Sequence, residues 1–294
     1  MTSSGVPLWF VLAAACGVCN ALEGAWVKHL SGRGFKPEFF AWCAASFTLP
    51  ILWFSVSVEG WPAIQPAFYF PFAMAVLGNT VGLICFFRAL SYGQLSLVYP
   101  LLALTPVWML LSTEFITGEF PGRLGLWGIL LSTAGCYALG LDRTGPLSPF
   151  RNLWGIPGSR WALITSVIWS FTANFDKAAV EASSAMFHPA AAGTALAVTL
   201  FAAAPRSCVD GLKRCAKWDD LWRVLVLTAL VGVLVLTQFA AVDRAQATYV
   251  TAVKRGGLVV GVLLGWLLYK EPYGLRRLAL SCVVLAGILC LVWA

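Results

Sequence analysis

The chain carries one stretch of apolar helices twice, at a constant offset of 152 residues, the separation of Trp9 from Trp161. The same offset lays Val81 on Val233, Phe87 on Phe239, Ala89 on Ala241, Gln94 on Gln246, Val98 on Val250, Leu111 on Leu263, Glu119 on Glu271 and Gly135 on Gly287, with no gap. Such a duplication restricts the fold to two similar units. If each unit crosses a membrane an odd number of times, the two sit upside down relative to each other, the arrangement of many secondary transporters.

The medium follows from composition. Hydrophobic residues make up 60% of the 294 and charged residues 11%, with a mean hydropathy of +0.80. That is too little polar surface to cover a soluble globule, so the chain is expected to be an integral membrane protein. Its net charge of +7 does not argue for nucleic acid, because the Lys and Arg residues lie mostly in short loops between apolar runs, where they signal topology. Met1 to Pro7 holds no Lys or Arg, and the apolar run behind it is too long for a signal-peptide core, so it reads as a retained span. Among the nine cysteines, Cys16 and Cys19 form a C-x-x-C inside an apolar helix without other soft ligands, which reads as small-residue packing. Cys208 and Cys215 stand close enough in a loop to pair, and nothing requires it.

A span needs roughly 20 mainly apolar residues. Such runs fall at about 6–30, 38–58, 67–91, 95–116, 123–141, 160–181, 188–205, 221–243, 247–269 and 274–293. Five precede the stretch from Asp142 to Ser159, whose Pro, Gly and Ser residues mark a linker. The expected domains are a first five-helix repeat over 1–141, a linker over 142–159 and a second repeat over 160–294. Very short turns, Ser91 to Gln94 and Asp243 to Gln246, join the third and fourth spans of each. The loops after spans 1, 3, 5, 7 and 9 carry or border Lys28, Arg33, Lys36, Arg143, Arg151, Arg160, Arg206, Lys213, Arg214, Lys217, Arg223, Lys270, Arg276 and Arg277, whereas the other side has little beyond Arg123 and Arg244. By the positive-inside rule both termini face outside.

Several residues carry a resemblance to a known family. Ala89 and Leu90 precede a short turn, Tyr99 and Pro100 open the fourth span, and Pro106 follows. Gly118 and Glu119 stand before Arg123, and Gly135 lies in span 5. The second copy has Ala241 through Gln246, Lys270-Glu271-Pro272 and Gly287. With ten spans and the inverted duplication, the chain resembles the drug/metabolite transporter superfamily in its ten-span EamA-like branch, over nearly its whole length. The resemblance implies an all-α fold of ten transmembrane helices, two inverted five-helix repeats around a central cavity lined by spans 1, 3, 4, 6, 8 and 9, carrying a solute across the membrane. It also implies cytoplasmic termini, against the loop charges. The second copy departs from the first in replacing the fourth-span prolines by Ala252 and Leu258, and in carrying Lys254 and Arg255.

Glu23, Arg88, Glu114, Asp176, Lys177, Lys254 and Arg255 fall within these spans. An Arg, Lys or Asp at a helix centre costs about 2.5–3.5 kcal/mol even on the lenient insertion scale, so each needs a cause. Arg88, Lys28, Lys177 and Glu114 lie near enough to span ends to snorkel. Lys254 and Arg255 are roughly 11 Å into span 9, too deep for that route. Thr248, Thr251 and Arg255 follow a helical spacing and form a polar stripe, while Gly257, Gly261 and Gly265 give two G-x-x-x-G spacings suited to close helix packing. Span 6 has a similar stripe in Thr165, Trp169, Thr172 and Asp176. Asp176 and Lys254 approach one membrane side, which makes a salt bridge between them reasonable, and structural pairing or substrate contact fits equally. Cys16, Asn20 and Glu23 share a face of span 1, and Arg88 enters from the side nearest Glu23, suggesting a second pair. Tyr99, Pro100 and Pro106 suggest a bent span 4. Trp9, Trp61, Trp154, Trp161, Trp218 and Trp222 suit an interfacial belt, whereas Trp169 is mid-span and suited to stacking on a substrate.

There is no Walker sequence, metal constellation, cofactor motif or activated nucleophile, and His29 and His188 stand alone near span ends without assignable chemistry. The expected protein is not an enzyme. It is a secondary active transporter of a small polar metabolite, an amino acid or related organic ion, by alternating access and in the direction of efflux, with a proton as a candidate coupling ion. The expected substrate site comprises Lys254 and Arg255 for an anionic group, Glu23 or Asp176 for an ammonium or proton, and Asn20, Thr251, Tyr99, Trp169 and Arg88 around them. Export of lipophilic cations or drugs is the alternative within transport, and a lipid-handling or structural membrane subunit the alternative outside it. The lipid bilayer is an expected partner, a second copy of the chain a candidate one, and a bacterial inner membrane suits the short loops.

Overall fold

The computed structural model of the protein describes residues 6–93, 95–102, 104, 105, 108, 109, 122–139 and 157–269, with 279, 280, 283, 286, 287 and 290. These residues form helices and connecting turns, with no strand among them. In chain order the helices are α1 (Leu8–Gly32), α2 (Pro37–Ser46), α3 (Leu49–Glu59), α4 (Tyr69–Tyr92), α5 (Leu95–Leu102), α6 (Arg123–Leu139), α7 (Pro157–Glu181), α8 (Phe187–Ala203), α9 (Pro205–Arg214), α10 (Trp218–Val242), α11 (Ala247–Gly256) and α12 (Leu258–Tyr269). Among the described residues, five segments are long and apolar enough to cross a membrane: Leu8–Gly32, Pro37–Glu59, Pro66–Tyr92, Trp218–Val242 and Ala247–Leu268. A sixth is added if α8 and α9 are counted together. Most of span 10, residues 142–156 of the linker, and Pro106, Glu114, Glu119, Lys270, Glu271 and Pro272 lie outside the described residues.

Among the described residues the expected spans are helical, with interruptions where the backbone chemistry requires them. Span 2 breaks into α2 and α3 at Phe47 and Thr48, where Thr48 Oγ1 bonds back to the carbonyls of Ala44 and Ala45 at 2.9 and 3.2 Å and Pro50 brings no N–H to the ladder. Span 7 ends as α8 at Ala203, where the hydropathy places it, and the chain then turns through 100° at Ala204 into the separate helix α9. Span 9 breaks at Gly257, whose N–H bonds Lys254 O at 3.1 Å.

The packing repeats under exchange of the two copies. Helix α1 lies along α10, and its counterpart α7 lies along α4, the counterpart of α10; α1 also packs on α11 as α7 does on α5. Each half therefore embraces the other instead of folding alone. The turns sort onto two faces. On one, Arg33 of the α1–α2 turn pairs with Asp219 and Asp220 at 2.7 and 3.0 Å, Lys28 Nζ reaches Gly93 O at 3.5 Å, and a Cβ on Gly158 would lie 2.2 Å from Gly93 Cα. On the other, Gln65 N bonds Ala182 O at 3.0 Å and Gly122 N donates to the Tyr249 hydroxyl at 3.1 Å. Helix α1 thus ends on the face where α7 begins, and α4 ends on the face where α10 begins. The first face carries the basic loops.

The core is thickest toward that basic face. Phe35, Phe39, Phe40, Phe87, Leu30 and Leu90 are buried in one cluster, with ring centroids 5.5 to 6.3 Å apart along Phe35, Phe39, Phe40 and Phe87.

Candidate functional site

Between the helices lies a partly open cavity. Its lining draws on α1, α2, α3, α4, α7, α8, α10 and α11, so spans 2 and 7 contribute beside those the resemblance implied. It reaches Val242 and Ala247, at the end of α10 and the start of α11, and in the other direction stops at Glu23, Ala44 and Phe86, against the aromatic cluster.

Two polar groupings face it. The first belongs to α1, α10 and α11. Lys254 Nζ donates to Gln238 Oε1 at 2.5 Å, and Cys16 Sγ, also over Gln238 Oε1, lies 3.8 Å from it. Asn20 Nδ2 donates to Glu23 Oε2 at 3.1 Å one helical turn along α1, and both side chains are buried. Arg255, 4% exposed, donates to Thr105 Oγ1 at 3.1 Å and sets its guanidinium 5.8 Å from the centre of the Trp169 ring. Trp169 packs in turn on Phe86 at 4.8 Å.

The second grouping belongs to α4, α7 and α8. Asp176 accepts from His188 Nε2 at 2.8 Å and from Asn79 Nδ2 at 3.3 Å. His188 is wholly buried, walled by Phe68, Phe72 and Phe239 with near-perpendicular or tilted rings at 5.4 to 6.2 Å. Because Nε2 serves the carboxylate it carries the proton, and Nδ1 meets no hydrogen-bond partner among the described residues. The cavity therefore has Lys254, Arg255 and the Asn20-held Glu23 on one wall and an oriented Asp176 carboxylate on the other. In the low dielectric of a membrane interior such groups select a ligand by charge.

Of the residues singled out from the sequence, Asn20, Glu23, Trp169, Asp176, Thr251, Lys254 and Arg255 all line this cavity. Tyr99 stands one layer behind. Buried at 1% exposure, its hydroxyl donates to Asn20 O at 3.3 Å, which makes it a support for the Asn20 turn. Arg88 is elsewhere: its Nη2 pairs with Glu38 at 2.6 Å and its guanidinium lies over Trp161. The expected Glu23–Arg88 pair is therefore replaced by Glu38–Arg88, because Arg88 sits near the end of α4 and turns outward to the α2 N-terminus. The expected Asp176–Lys254 salt bridge does not form either, since His188 and Asn79 already hold the carboxylate and Gln238 holds the ammonium.

Lys177 is buried, its Nζ bonding Val242 O at 3.0 Å and Glu181 at 3.1 Å. Thr165 and Thr248 are buried without lining the cavity. The glycine stripe of span 9 is a packing device: a Cβ on Gly257 would come within 2.2 Å of the Gly17 backbone, and one on Gly261 within 2.9 Å of the Tyr99 ring. Cys16, Cys19, Cys208 and Cys215 are free thiols. Sequence reasoning missed His188, Gln238 and Asn79. All three are uncharged or weakly charged residues within mainly apolar runs, a signal outweighed there by the formal charges.

A bundle of apolar helices around a cavity lined by charged residues marks a multi-pass membrane protein. The chain belongs to the EamA-like transporter family, whose model matches residues 7–141 and 156–293, and that family is one of membrane transporters. Among solved structures, 29 chains match. One of them, the crystal structure of a protein 17% identical, covers 99% of this chain and 98% of its own at a TM-score of 0.68, a likeness of fold. None of the curated proteins matches in sequence.

Proposed function

We propose that the protein is a secondary active transporter moving a small polar metabolite, an amino acid or related organic ion, by alternating access between two inverted five-span halves. The observation that carries this reading is the separation of charge in one cavity: Lys254 and Arg255 on the α11 wall, Asp176 on the α7 wall with His188 and Asn79 behind it. A zwitterion satisfies both walls at once, its carboxylate taken by Lys254 and Arg255 and its ammonium by Asp176. Trp169, Thr251 and Asn20 orient what lies between. A purely cationic drug would leave Lys254 facing like charge, which costs binding. The opposed directions of α1 and α7, and of α4 and α10, support the inverted ten-span layout. Sealing on the basic face and a lining that reaches the other support a carrier whose site faces one side at a time. The excess of Lys and Arg assigns the basic face to the cytoplasm, the arrangement that suits release of an exported solute; a C-terminal reporter active only in the cytoplasm would overturn that sidedness.

The test is counterflow in proteoliposomes loaded with one unlabelled amino acid at a time, following entry of the labelled form, with Lys254→Ala beside the parent. Saturable exchange lost in the folded variant supports the reading. Exchange untouched by Lys254→Ala removes its centre, and flux of lipophilic cations alone moves the function to drug export.

A further inference from the structure

Helix α9 does not continue α8 across the membrane. It leaves α8 at 100°, and four of its ten residues, Arg206, Asp210, Lys213 and Arg214, are charged, too many for a segment re-entering hydrocarbon. At about 100° per residue it presents three faces. Cys208 and Gly211 are buried, with so little room that a Cβ on Gly211 would stand 2.2 Å from the Phe39 ring; this face is clamped on α2. Asp210 and Arg214 turn to the α1–α2 corner, where Asp210 meets Lys36 at 3.6 Å and Arg214 Nη2 donates to Arg33 O at 2.5 Å. The third face is unpartnered and mixed. Val209 and Leu212, 38% and 39% exposed, form an apolar edge, and Arg206 and Lys213 lie beside it, two turns or ~10.5 Å apart on one line. Lys217 in the following turn and the 73% exposed Trp218 at the α10 start are exposed beyond the end of α9. None of Arg206, Lys213 and Lys217 takes part in an ion pair among the described residues.

We propose that α9 is an interfacial helix that binds anionic phospholipid, with Val209 and Leu212 in the acyl boundary and Arg206, Lys213 and Lys217 on the headgroup phosphates. An apolar edge bordered by unpaired cations fits the place where acyl chain gives way to phosphate. A free anion would have no use for the exposed Val209 and Leu212. Because α9 is tied to both the α1–α2 corner and the α10 start, lipid bound there braces the sealed face of the bundle.

The experiment compares the full chain, purified in neutral detergent, with the triple variant Arg206→Gln, Lys213→Gln, Lys217→Gln. Native mass spectrometry and thermal unfolding are followed with added phosphatidylglycerol or phosphatidylcholine. The parent is expected to retain phosphatidylglycerol preferentially and to unfold several degrees higher with it. At about fivefold per lost charge, the triple variant loses retention on the order of a hundredfold, and its phosphatidylglycerol-specific shift disappears. Equal shifts with both lipids in the parent, or an undiminished shift in the variant, would overturn the proposal, as would inorganic phosphate reproducing the lipid effect. If the variant does not fold, salt decides on the parent: a shift that vanishes at high ionic strength supports the headgroup contacts, and one that survives refutes them.

Discussion

Lys254 donates a hydrogen bond from its ammonium to the amide oxygen of Gln238, 2.5 Å away, while the nearby carboxylate of Glu23 is held by Asn20 on its own helix. A neutral acceptor satisfies one donor of the ammonium and leaves its charge for a ligand, where a carboxylate would have cancelled it. Gln238→Glu is therefore expected to convert the contact into an internal ion pair and to weaken an anionic or zwitterionic substrate by tenfold or more, with the protein still folded. Gln238→Leu is expected to keep the charge and lose less. Half-saturation in the counterflow assay ranks the two, and the opposite order would refute the argument.

His188 holds Asp176 from inside an aromatic wall. Removing it leaves the carboxylate with Asn79 alone and opens a cavity, so His188→Ala is expected to destabilise the protein by about 3 kcal/mol. His188→Gln, whose amide nitrogen can replace the Nε2 donor, is expected to recover most of that. Thermal unfolding in detergent reads the difference, and equal losses in the two variants would mean that the ring's packing matters and its hydrogen bond does not.

Arg88 and Glu38 form a pair outside the cavity, with side chains 34% and 15% exposed. Arg88→Gln is expected to leave transport within about a factor of two and to cost on the order of 1 kcal/mol of stability. A loss of flux as deep as that of Lys254→Ala would return Arg88 to the substrate path.

Gly17 and Gly257 touch backbone to backbone. Gly257→Ala has no space for its methyl and is expected to cost about 3 kcal/mol. At Gly32 nothing lies within 4 Å of an added Cβ, and Gly32→Ala is expected to be tolerated. Expression level and unfolding temperature of the two variants check the contrast.

The lining of the cavity is also where the two copies part. At the repeat offset Glu23 faces Phe175, Asp176 faces Gly24, Lys254 faces Leu102 and Gln238 faces Phe86. The apolar framework repeats because both halves solve the same packing problem. The charges do not repeat, so the two walls of the cavity differ in chemistry.

Much of this was written in the chain itself. Periodicity placed the helices, and the cost of charge in hydrocarbon singled out Glu23, Asp176, Lys254 and Arg255, all of which line the cavity. Depth along a helix can be counted from sequence, since each residue advances it by a fixed rise. Partners cannot. Whether Asp176 met Lys254 or His188, and whether Arg88 met Glu23 or Glu38, depended on how α4, α7, α8 and α11 rotate and cross. Those angles are set by contacts far apart in the chain, such as Gly17 on Gly257 and Gly211 on Phe39. The bend at Ala204 was likewise hidden, because hydropathy measures how apolar a run is and says nothing of the direction it takes. Sequence alone determined a membrane bundle with buried charge; only tertiary packing decided which charges were neutralised and which were left facing the cavity.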